Sequence, residues 1–279
     1  MKNLDEKNLI VVRPFAGLGN RLRAIDSAIA LARQGNISVE LVWNKNKECN
    51  ASFSKLFHVP EFIAFKEIST RFQDNGRIFH TRRALMNFFN LDYPLGFDRV
   101  MYDGDILQAQ RNGYDFTQLL NYKRVFLNST SRFYPNDRPF DYLNPVPGIR
   151  EKVGALTSRF SDYPIGVHIR RGDNDKSTRY SPLQLFLNKM QAEYDKNPRV
   201  SFFLATDSMD VEQQIRKAFG EAVISHPKVL DRQKEKAIQD ALVDMLCLSK
   251  TQKVYGSYWS SFSGVAAEMG GIELETLKR

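Results

Sequence analysis

The stretch LIVVRPFAGLGNRLRAIDSAIALARQGNISVELVW, residues 9–43, decides the fold class of this chain. Its apolar run Leu9–Val12 predicts a short buried strand, which a glycine-containing loop follows. Apolar residues then recur at helical spacing between Asn20, the expected N-cap, and Gly35, the expected left-handed cap, and Ile37–Trp43 predicts a second strand. A strand, a loop, a helix and a strand in this order are typical of a parallel sheet with helices on its faces.

The same alternation returns in the second half of the chain. Its strand patterns are Ile165–Ile169, Val200–Ala205, Ala222–Ser225, Val254–Gly256 and Ile272–Leu274. Helical patterns lie between them, at about 182–196, 209–219, 235–249 and 261–269. The sequence therefore predicts an α/β protein with two Rossmann-type units.

The region between these two patterns is less regular. Residues 45–150 mix charges, prolines and aromatic rings with weak periodicity, so we expect helices and irregular loops there. Four prolines in Tyr134–Pro147 predict a linker. The expected domains are therefore residues 1–145 and 146–279, and a length of 279 residues fits two domains of ordinary size.

Composition and charge restrict the class of protein. Lys and Arg number 40 against 32 Asp and Glu, so the formal charge of +8 favours an anionic partner. No apolar run approaches the roughly 18 residues of a membrane span, and the N-terminus has no signal-peptide core. We expect a cytoplasmic protein without a transmembrane segment, soluble or membrane-peripheral. Cys49 and Cys247 are expected to be buried thiols.

In doubly wound sheets, ligands bind at the carboxyl ends of the strands. The segment that follows the predicted strand Ile165–Ile169 is one such end, and it is rich in charged residues. His168 and Arg170 lie two apart on a strand and share a face, and Arg171 points to the other. An arginine at this place offers a fork of donors that fits a phosphate. Ion pairs of these arginines with Asp173 and Asp175 are the alternative interpretation.

Two further strand ends carry polar side chains. Asp207 could orient an arginine or touch a ribose hydroxyl, and N-capping by Asp207 or Ser208 is the alternative. The segment Gly256–Gly264 brings hydroxyls and unpaired backbone N–H groups to a helix start, which is a ready anion site. A polar turn with a serine cap would explain the same pattern.

Other motifs give weaker signals. Gly17 and Gly19 lack the third glycine of a dinucleotide fingerprint, although they let a ligand approach the backbone closely. Asp103 and Asp105 form a D-x-D triplet, which some transferases use to hold manganese, but a turn is the favoured interpretation. The four histidines have no metal-ligand spacing, so no metal site is expected.

Four motifs in this order resemble the α1,2/α1,6 and protein O-fucosyltransferase superfamily, which includes bacterial nodulation-type and core α1,6 enzymes. Its members carry a Gly-x-Gly-Asn loop, a His-x-Arg-Arg-x-Asp motif, an Ala-Thr-Asp motif and a serine-rich segment before an Ala-x-Glu helix. The corresponding segments here are Gly17–Asn20, His168–Asp173, Ala205–Asp207 and Ser260–Glu268. Residues 45–150 carry no such resemblance.

The resemblance implies a GT-B architecture, in which two Rossmann-like domains face a cleft. It implies an inverting, metal-independent glycosyltransferase that moves fucose from GDP-fucose to a glycan hydroxyl without a further cofactor. Residues 146–279 would bind the GDP-sugar and residues 1–145 would lie on the acceptor side.

The resemblance also assigns roles to single residues. Arg170 would grip the β-phosphate, His168 would lie near the nucleoside, and Asp244 would read the guanine edge. Other substrate contacts are expected on the glycine-loop side and around the phosphates. These residues are Gly17, Gly19, Asn20, Arg21, Arg171, Asp207, Ser260, Ser261, Phe262 and Ser263.

The catalytic base is the point where the chain departs from the family. In core α1,6 enzymes a glutamate lies ten residues after the motif histidine, and Thr178 occupies that position here. Asp173 and Asp175 are the nearest carboxylates, and either could deprotonate the acceptor or hold the arginines.

Two other functions remain open at the level of sequence. A basic nucleic-acid-binding protein would explain the charge and the aromatic residues near Arg82, Arg83 and Arg124, but no recognised motif supports it. A metal-dependent sugar-nucleotide transferase with another donor would use Asp103 and Asp105.

Overall fold

The computed structural model describes residues 8–69, 96–172, 175–231 and 233–279. The chain divides into two compact units: Met1–Asn144 with Arg232–Ile238, and Pro145–Asp231 with Gln239–Arg279. The return segment Arg232–Ile238 groups with the first unit, whereas the sequence places it with the second. Asp173, Arg82 and Arg83 lie outside the described residues.

The first unit is built on a parallel five-stranded sheet. Its strands occur in the order β4-β2-β1-β6-β5, so the chain reverses its direction of strand addition between β1 and β6. The five strands of this sheet are β1 (Leu9–Val12), β2 (Ser38–Lys45), β4 (Ile63–Ser69), β5 (Arg99–Tyr102) and β6 (Arg124–Asn128). The two-residue strands β3 (Phe57–His58) and β7 (Asn144–Pro145) lie outside it. The helices are α1 (Leu18–Gly35) and α2 (Asp103–Arg111), with 3-10 turns at Phe53–Lys55 and Phe116–Asn121.

Helix α1 differs at both ends from its expected bounds. Its N-cap is Gly17 instead of Asn20, so the helix begins inside the glycine loop. At the other end, Gly35 is still helical and Asn36 adopts the left-handed conformation with φ 50°. A Cβ on Gly35 would lie 2.7 Å from Leu120 Cδ2, so close packing explains this glycine.

Residues 134–144 of the proline-rich segment belong to the first unit, whereas the sequence predicts a linker over the whole of Tyr134–Pro147. The buried carboxylate of Asp26 accepts hydrogen bonds from Arg132 Nη1 at 2.5 Å, Asn136 Nδ2 at 2.9 Å and Phe140 N at 2.8 Å. Because a buried carboxylate requires such partners, these bonds fix the segment against α1.

The second unit is built on another parallel five-stranded sheet, in the order β10-β9-β8-β11-β12. Its strands are β8 (Pro164–Ile169), β9 (Ser201–Thr206), β10 (Val223–Ile224), β11 (Lys253–Ser257) and β12 (Glu273–Leu277). Its helices are α3 (Pro147–Thr157), α4 (Asp175–Tyr180), α5 (Leu183–Lys196), α6 (Met209–Phe219), α7 (Glu235–Leu248) and α8 (Ser261–Gly270), and a 3-10 turn lies at Gly220–Ala222. The first residues of α7, up to Ile238, group with the first unit.

Burial explains why this sheet forms. Every residue of β8 and β9 is buried, as continuous apolar strands in a parallel sheet require. Helix α6 covers the sheet with a stripe of Val211, Ile215 and Phe219 at a spacing of four. The strand order reverses between β8 and β11, and this switch point is where doubly wound folds bind ligands.

Two expectations about the whole chain can be compared with these residues. Cys49 and Cys247 are buried thiols outside any disulfide, which confirms the sequence interpretation. Among the described residues, no helix combines the length and apolarity that a membrane crossing requires. The cytoplasmic location stays a prediction.

Candidate ligand site at the carboxyl edge of the second sheet

Three loops meet at the carboxyl edge of the second sheet, because β8 lies between β9 and β11. The backbone N–H of Arg170 donates to Ser257 Oγ at 3.0 Å, which ties the loop after β8 to β11. The backbone N–H of Arg171 donates to Asp207 Oδ1 at 2.7 Å, which ties it to the loop after β9. Three of the segments singled out in the sequence are therefore neighbours in space.

Arg170 is held by an aspartate. Its guanidinium forms an ion pair with Asp207, and the side chains are 14% and 22% exposed. Ser208 caps α6, since its side chain accepts a bond from Val211 N at 3.3 Å. Asp207 therefore orients an arginine, one of the roles that the sequence left open, and Ser208 is the cap.

Gly172 makes room for this ion pair. Its φ is +35°, and a Cβ there would lie 2.6 Å from Asp207 Oδ2. A side chain at this position would push Asp207 aside, so glycine is required by both the backbone and the contact.

Arg171 contributes a second guanidinium. Its Nη1 donates to Arg170 O at 2.8 Å, and burial lowers the pKa of the guanidinium. Within the part of the chain that the structure describes, its buried Nη2 has no hydrogen-bond partner. A buried donor without a partner is costly, so a ligand acceptor at this atom would stabilise the site.

His168 is buried beside the arginines. Its ring stacks on Phe262 at a centroid distance of 4.8 Å and an interplanar angle of 26°. Burial, with a smaller effect of the charge on Arg170, lowers the pKa of His168 to about 3, so the ring is neutral at pH 7. Its buried Nδ1 has no partner among the residues that the structure covers.

The pKa of His168 predicts a pH-dependent stability. The unfolded chain takes up a proton at His168 below about pH 6.5, whereas the folded chain does so near 3, so stability falls as the pH drops through this window. At pH 4 the folded state should have lost roughly 3 kcal/mol through this group. Urea unfolding between pH 7 and 4 should show a shallower decline in His168→Gln, while the exposed His58→Gln behaves as wild type. Equal declines in wild type and His168→Gln would contradict the prediction.

The serine-rich segment begins helix α8 beside this ring. Ser260 is the N-cap and accepts a bond from Phe262 N at 3.4 Å, and Ser261 is the first helical residue. Ser263 is buried, and its Oγ would lie 2.5 Å from a Cβ on Gly256. The helix start therefore packs directly against β11 at the switch point, and the N-terminus of a helix is a general type of anion site.

Two serines that the sequence interpretation did not single out, Ser177 and Ser181, fix the loop before this helix together with Ser257, which lies in the segment Gly256–Gly264. Ser177 Oγ donates to Tyr258 O at 2.6 Å, and Tyr258 N donates to Ser181 Oγ at 2.8 Å. Ser257 joins β8 and β11, as described above. Isolated serines give no periodic signal, so the sequence offers no means to find them.

Asp244 lies on α7 in a buried charged cluster. Its Oδ1 is 3.1 Å from His226 Nε2, and its Oδ2 accepts from Lys228 Nζ at 2.7 Å. The charges of Asp244 and Lys228 act on the pKa of His168, which places the cluster near that ring. The sequence interpretation named Asp244 but did not pair it with His226 or Lys228.

Of the two candidate bases, Asp175 lies within the described residues. Asp175 is the first residue of α4 and is exposed. Asp173 lies outside the described residues. The identity of a base therefore stays a prediction.

The glycine loop of the first unit does not present its arginine as expected. Arg21 is fully buried: its Nε donates to Ala16 O at 2.7 Å, its Nη2 to Asn46 Oδ1 at 2.9 Å and its Nη1 to Asn44 O. The guanidinium also lies over Trp43, 4.8 Å from the ring centroid. These contacts satisfy the charge internally, so Arg21 stabilises the loop instead of facing a sugar.

The neighbouring loop residues remain closer to the surface. Asn20 is partly exposed, and its Oδ1 accepts from Arg23 Nη2 at 2.7 Å. Gly17 is also partly exposed, whereas Gly19 is buried within α1. Asn20 and Gly17 are therefore accessible, and their contact with a ligand stays a prediction.

Asp103 and Asp105 lie in the first turn of helix α2, where the sequence favours a turn instead of a metal site. Asp103 Oδ1 accepts bonds from Thr130 N at 2.7 Å and Ser129 Oγ at 3.1 Å, and Asp105 accepts from Tyr102 N at 2.9 Å. The two carboxylates therefore serve different partners around the helix start. Among the described residues, no group of three or more His, Cys, Asp or Glu could hold a metal ion.

Comparison with known proteins places this geometry in a wider group. No family model and no curated protein matches the sequence. The α1,6-fucosyltransferase NodZ from Bradyrhizobium matches with a TM-score of 0.61 and 18% identity over 93% of this chain and 92% of NodZ. Arabidopsis thaliana FUT1 matches at 0.59 and 14% identity over 98% of this chain and 71% of FUT1, and POFUT1 at 0.53 and 14% over 98% and 99%.

The chain has the fold of these fucosyltransferases. This confirms the expected α/β, GT-B-like class with two Rossmann-type units. At these identities the likeness is one of fold. In this GT-B-like fold, the described site occupies the carboxyl edge of the second Rossmann-type unit.

Proposed function

We propose that this protein is an inverting, metal-independent glycosyltransferase that moves fucose from GDP-fucose to a hydroxyl of a glycan. The observation that carries the proposal is the arrangement around Arg170. An arginine oriented by Asp207 lies at the strand switch point, with the buried Arg171 Nη2 and His168 Nδ1 unpartnered among the described residues. Donors arranged in this way suit a diphosphate.

The solved structures support the choice of donor. A NodZ structure was soaked with GDP-fucose, and structures of FUT1 and POFUT1 contain GDP. Donor binding is assigned to residues 146–279 and the acceptor side to residues 1–145. Asp244 is assigned to the guanine edge, and Ser260, Ser261 and the N–H groups of α8 to the phosphates.

The chemistry needs the charges that this site holds. Transfer breaks the bond between the anomeric carbon and a β-phosphate oxygen, which keeps the electron pair, and forms a bond from that carbon to the acceptor oxygen. The sugar gains oxocarbenium character while the departing GDP gains negative charge. Arg170 and the start of α8 would stabilise that charge, which is the largest single contribution in many enzymes.

The acceptor hydroxyl must lose its proton as it attacks the opposite face of the sugar. Asp173 or Asp175 is proposed to receive this proton, since both follow the arginine motif directly. His168 is an unsuitable base because its lowered pKa makes the imidazole a very weak one.

Thermal unfolding with GDP in the presence of EDTA tests the donor site. A hundredfold excess of GDP over its Kd should stabilise the fold by about 2.7 kcal/mol, which is a rise of several °C. Guanosine, which lacks the diphosphate, should stabilise less, and Arg170→Ala should reduce the difference between the two ligands.

Three results would count against the proposal. They are the absence of a GDP shift at millimolar concentration, an equal GDP shift in Arg170→Ala, and a shift that appears only when manganese replaces EDTA. The last would favour a metal-dependent transferase.

A further inference from the structure

The loop after β10 delivers a lysine to a buried place beside Asp244. The side chains of Lys228 and Asp244 are 8% and 7% exposed, and their charged atoms are 2.7 Å apart. The loop is also tied to α7 one residue later, where Val229 N donates to Asp240 Oδ2 at 3.2 Å. Lys228 is therefore held in one position, unlike a lysine with a solvent-exposed side chain.

The cluster lies within reach of a nucleotide at β8. The loop after β10 is two strands away from β8, which corresponds to about 10 Å at the usual strand spacing. The charges of Lys228 and Asp244 both influence His168, whose buried Nδ1 is unpartnered within the described ranges. A base extending from phosphates at Arg170 past His168 would have this cluster at its far edge.

The cluster presents a donor next to an acceptor. An ammonium has three N–H donors, of which Asp244 takes one, and each carboxylate oxygen has a second lone pair. Guanine presents the O6 acceptor next to the N1–H and N2–H₂ donors, whereas adenine presents the N6–H₂ donor at the position of O6. The pair Lys228–Asp244 is complementary to guanine. It is mismatched to adenine, because the ammonium of Lys228 would face the N6–H₂ donor.

We propose that Lys228 is a specificity-determining residue that donates to O6 of the guanine base while Asp244 accepts from its N–H groups. The inference rests on the proposed function and deepens it, because it names the side chain that rejects adenine nucleotides. His226 holds the other oxygen of Asp244 and is a positioning residue.

Binding of GDP, IDP and ADP to the full chain tests the inference, since IDP keeps O6 and lacks the N2 amino group. In Lys228→Met, the affinities for GDP and IDP should fall together by about 10- to 100-fold. Their ratio should stay unchanged, and the weak ADP affinity should change by less than about threefold. In Asp244→Asn, by contrast, GDP should lose more affinity than IDP.

The ratios of the affinities for GDP, IDP and ADP within one variant do not depend on the fraction of the protein that is folded. Circular dichroism checks folding directly. Lys228→Gln keeps an N–H donor and should retain part of the preference over ADP, which serves if Lys228→Met does not fold. The exposed Lys250→Met removes the same charge and should bind as wild type.

The possible failures are distinct. If wild type binds none of the three nucleotides, the proposed function and this inference both fail. If wild type prefers GDP but Lys228→Met lowers all three affinities equally, or none, the inference alone is overturned.

Discussion

Replacing Arg170 by alanine is expected to lower the rate of fucosyl transfer by about a hundred- to a thousandfold. The guanidinium lies at the strand switch point and is held by Asp207. Under the proposed function, its loss would remove an oriented positive charge where the leaving diphosphate would gain its negative charge. The measurement is the initial rate of transfer from GDP-fucose to a panel of glycans, in EDTA.

Arg138→Ala is the matched control, because it removes the same charge from a side chain that is 76% exposed. Its rate should equal that of wild type. If both variants lose activity equally, general charge attraction would explain the loss; if Arg170→Ala stays fully active, the arginine has no role in transfer.

Removing the charge of Glu193 is expected to destabilise the fold by roughly 2–4 kcal/mol. Glu193 is 4% exposed, and its Oε1 accepts bonds from Lys253 Nζ at 2.6 Å and Tyr255 Oη at 2.5 Å. Glu193→Gln would leave a lysine without its counter-charge at the amino end of β11. The measurement is the free energy of unfolding in urea at pH 7.

Glu275→Gln breaks a comparable but exposed pair, with Lys189 at 2.7 Å, and should cost less than about 1 kcal/mol. Burial raises the pKa of Glu193, but the hydrogen bonds from Lys253 and Tyr255 outweigh it and the net pKa is lowered. The stabilisation is therefore present above about pH 4.5 and is lost as the pH falls through the folded pKa. Equal costs for the two variants would contradict this account.

In the second sheet, β8 and β9 could be predicted from the sequence because they are buried, mostly apolar runs. The edge strand β12 (Glu273–Leu277) carries two glutamates and a threonine, and the sequence predicts it only at Ile272–Leu274. Helix α6 begins and ends at the expected residues, Met209 and Phe219, since a serine cap and a stripe at a spacing of four agree. In the first unit, β4 and β6 escaped prediction within residues 45–150. Their short patterns lie among charges, and pairing with β2 and β1 decides their conformation.

The site could be predicted in part, for a similar reason. Arg170 and Asp207 follow recognisable strands, so their meeting at one sheet edge follows from topology. The burial of Arg21 depends on its contact with Asn46, and the position of Lys228 depends on its contact with Asp244. Both partners lie more than ten residues away along the chain. A local pattern carries no information on such partners.

The ion pair between Arg170 and Asp207 has a consequence for the nucleotide affinity that the proposed function requires. A free arginine side chain loses about 2 kcal/mol of rotamer entropy when it is immobilised. Asp207 imposes much of this loss when the chain folds, so that a nucleotide bound as proposed would not have to impose it again. Binding then meets a pre-organised guanidinium, and more of the interaction energy appears as affinity.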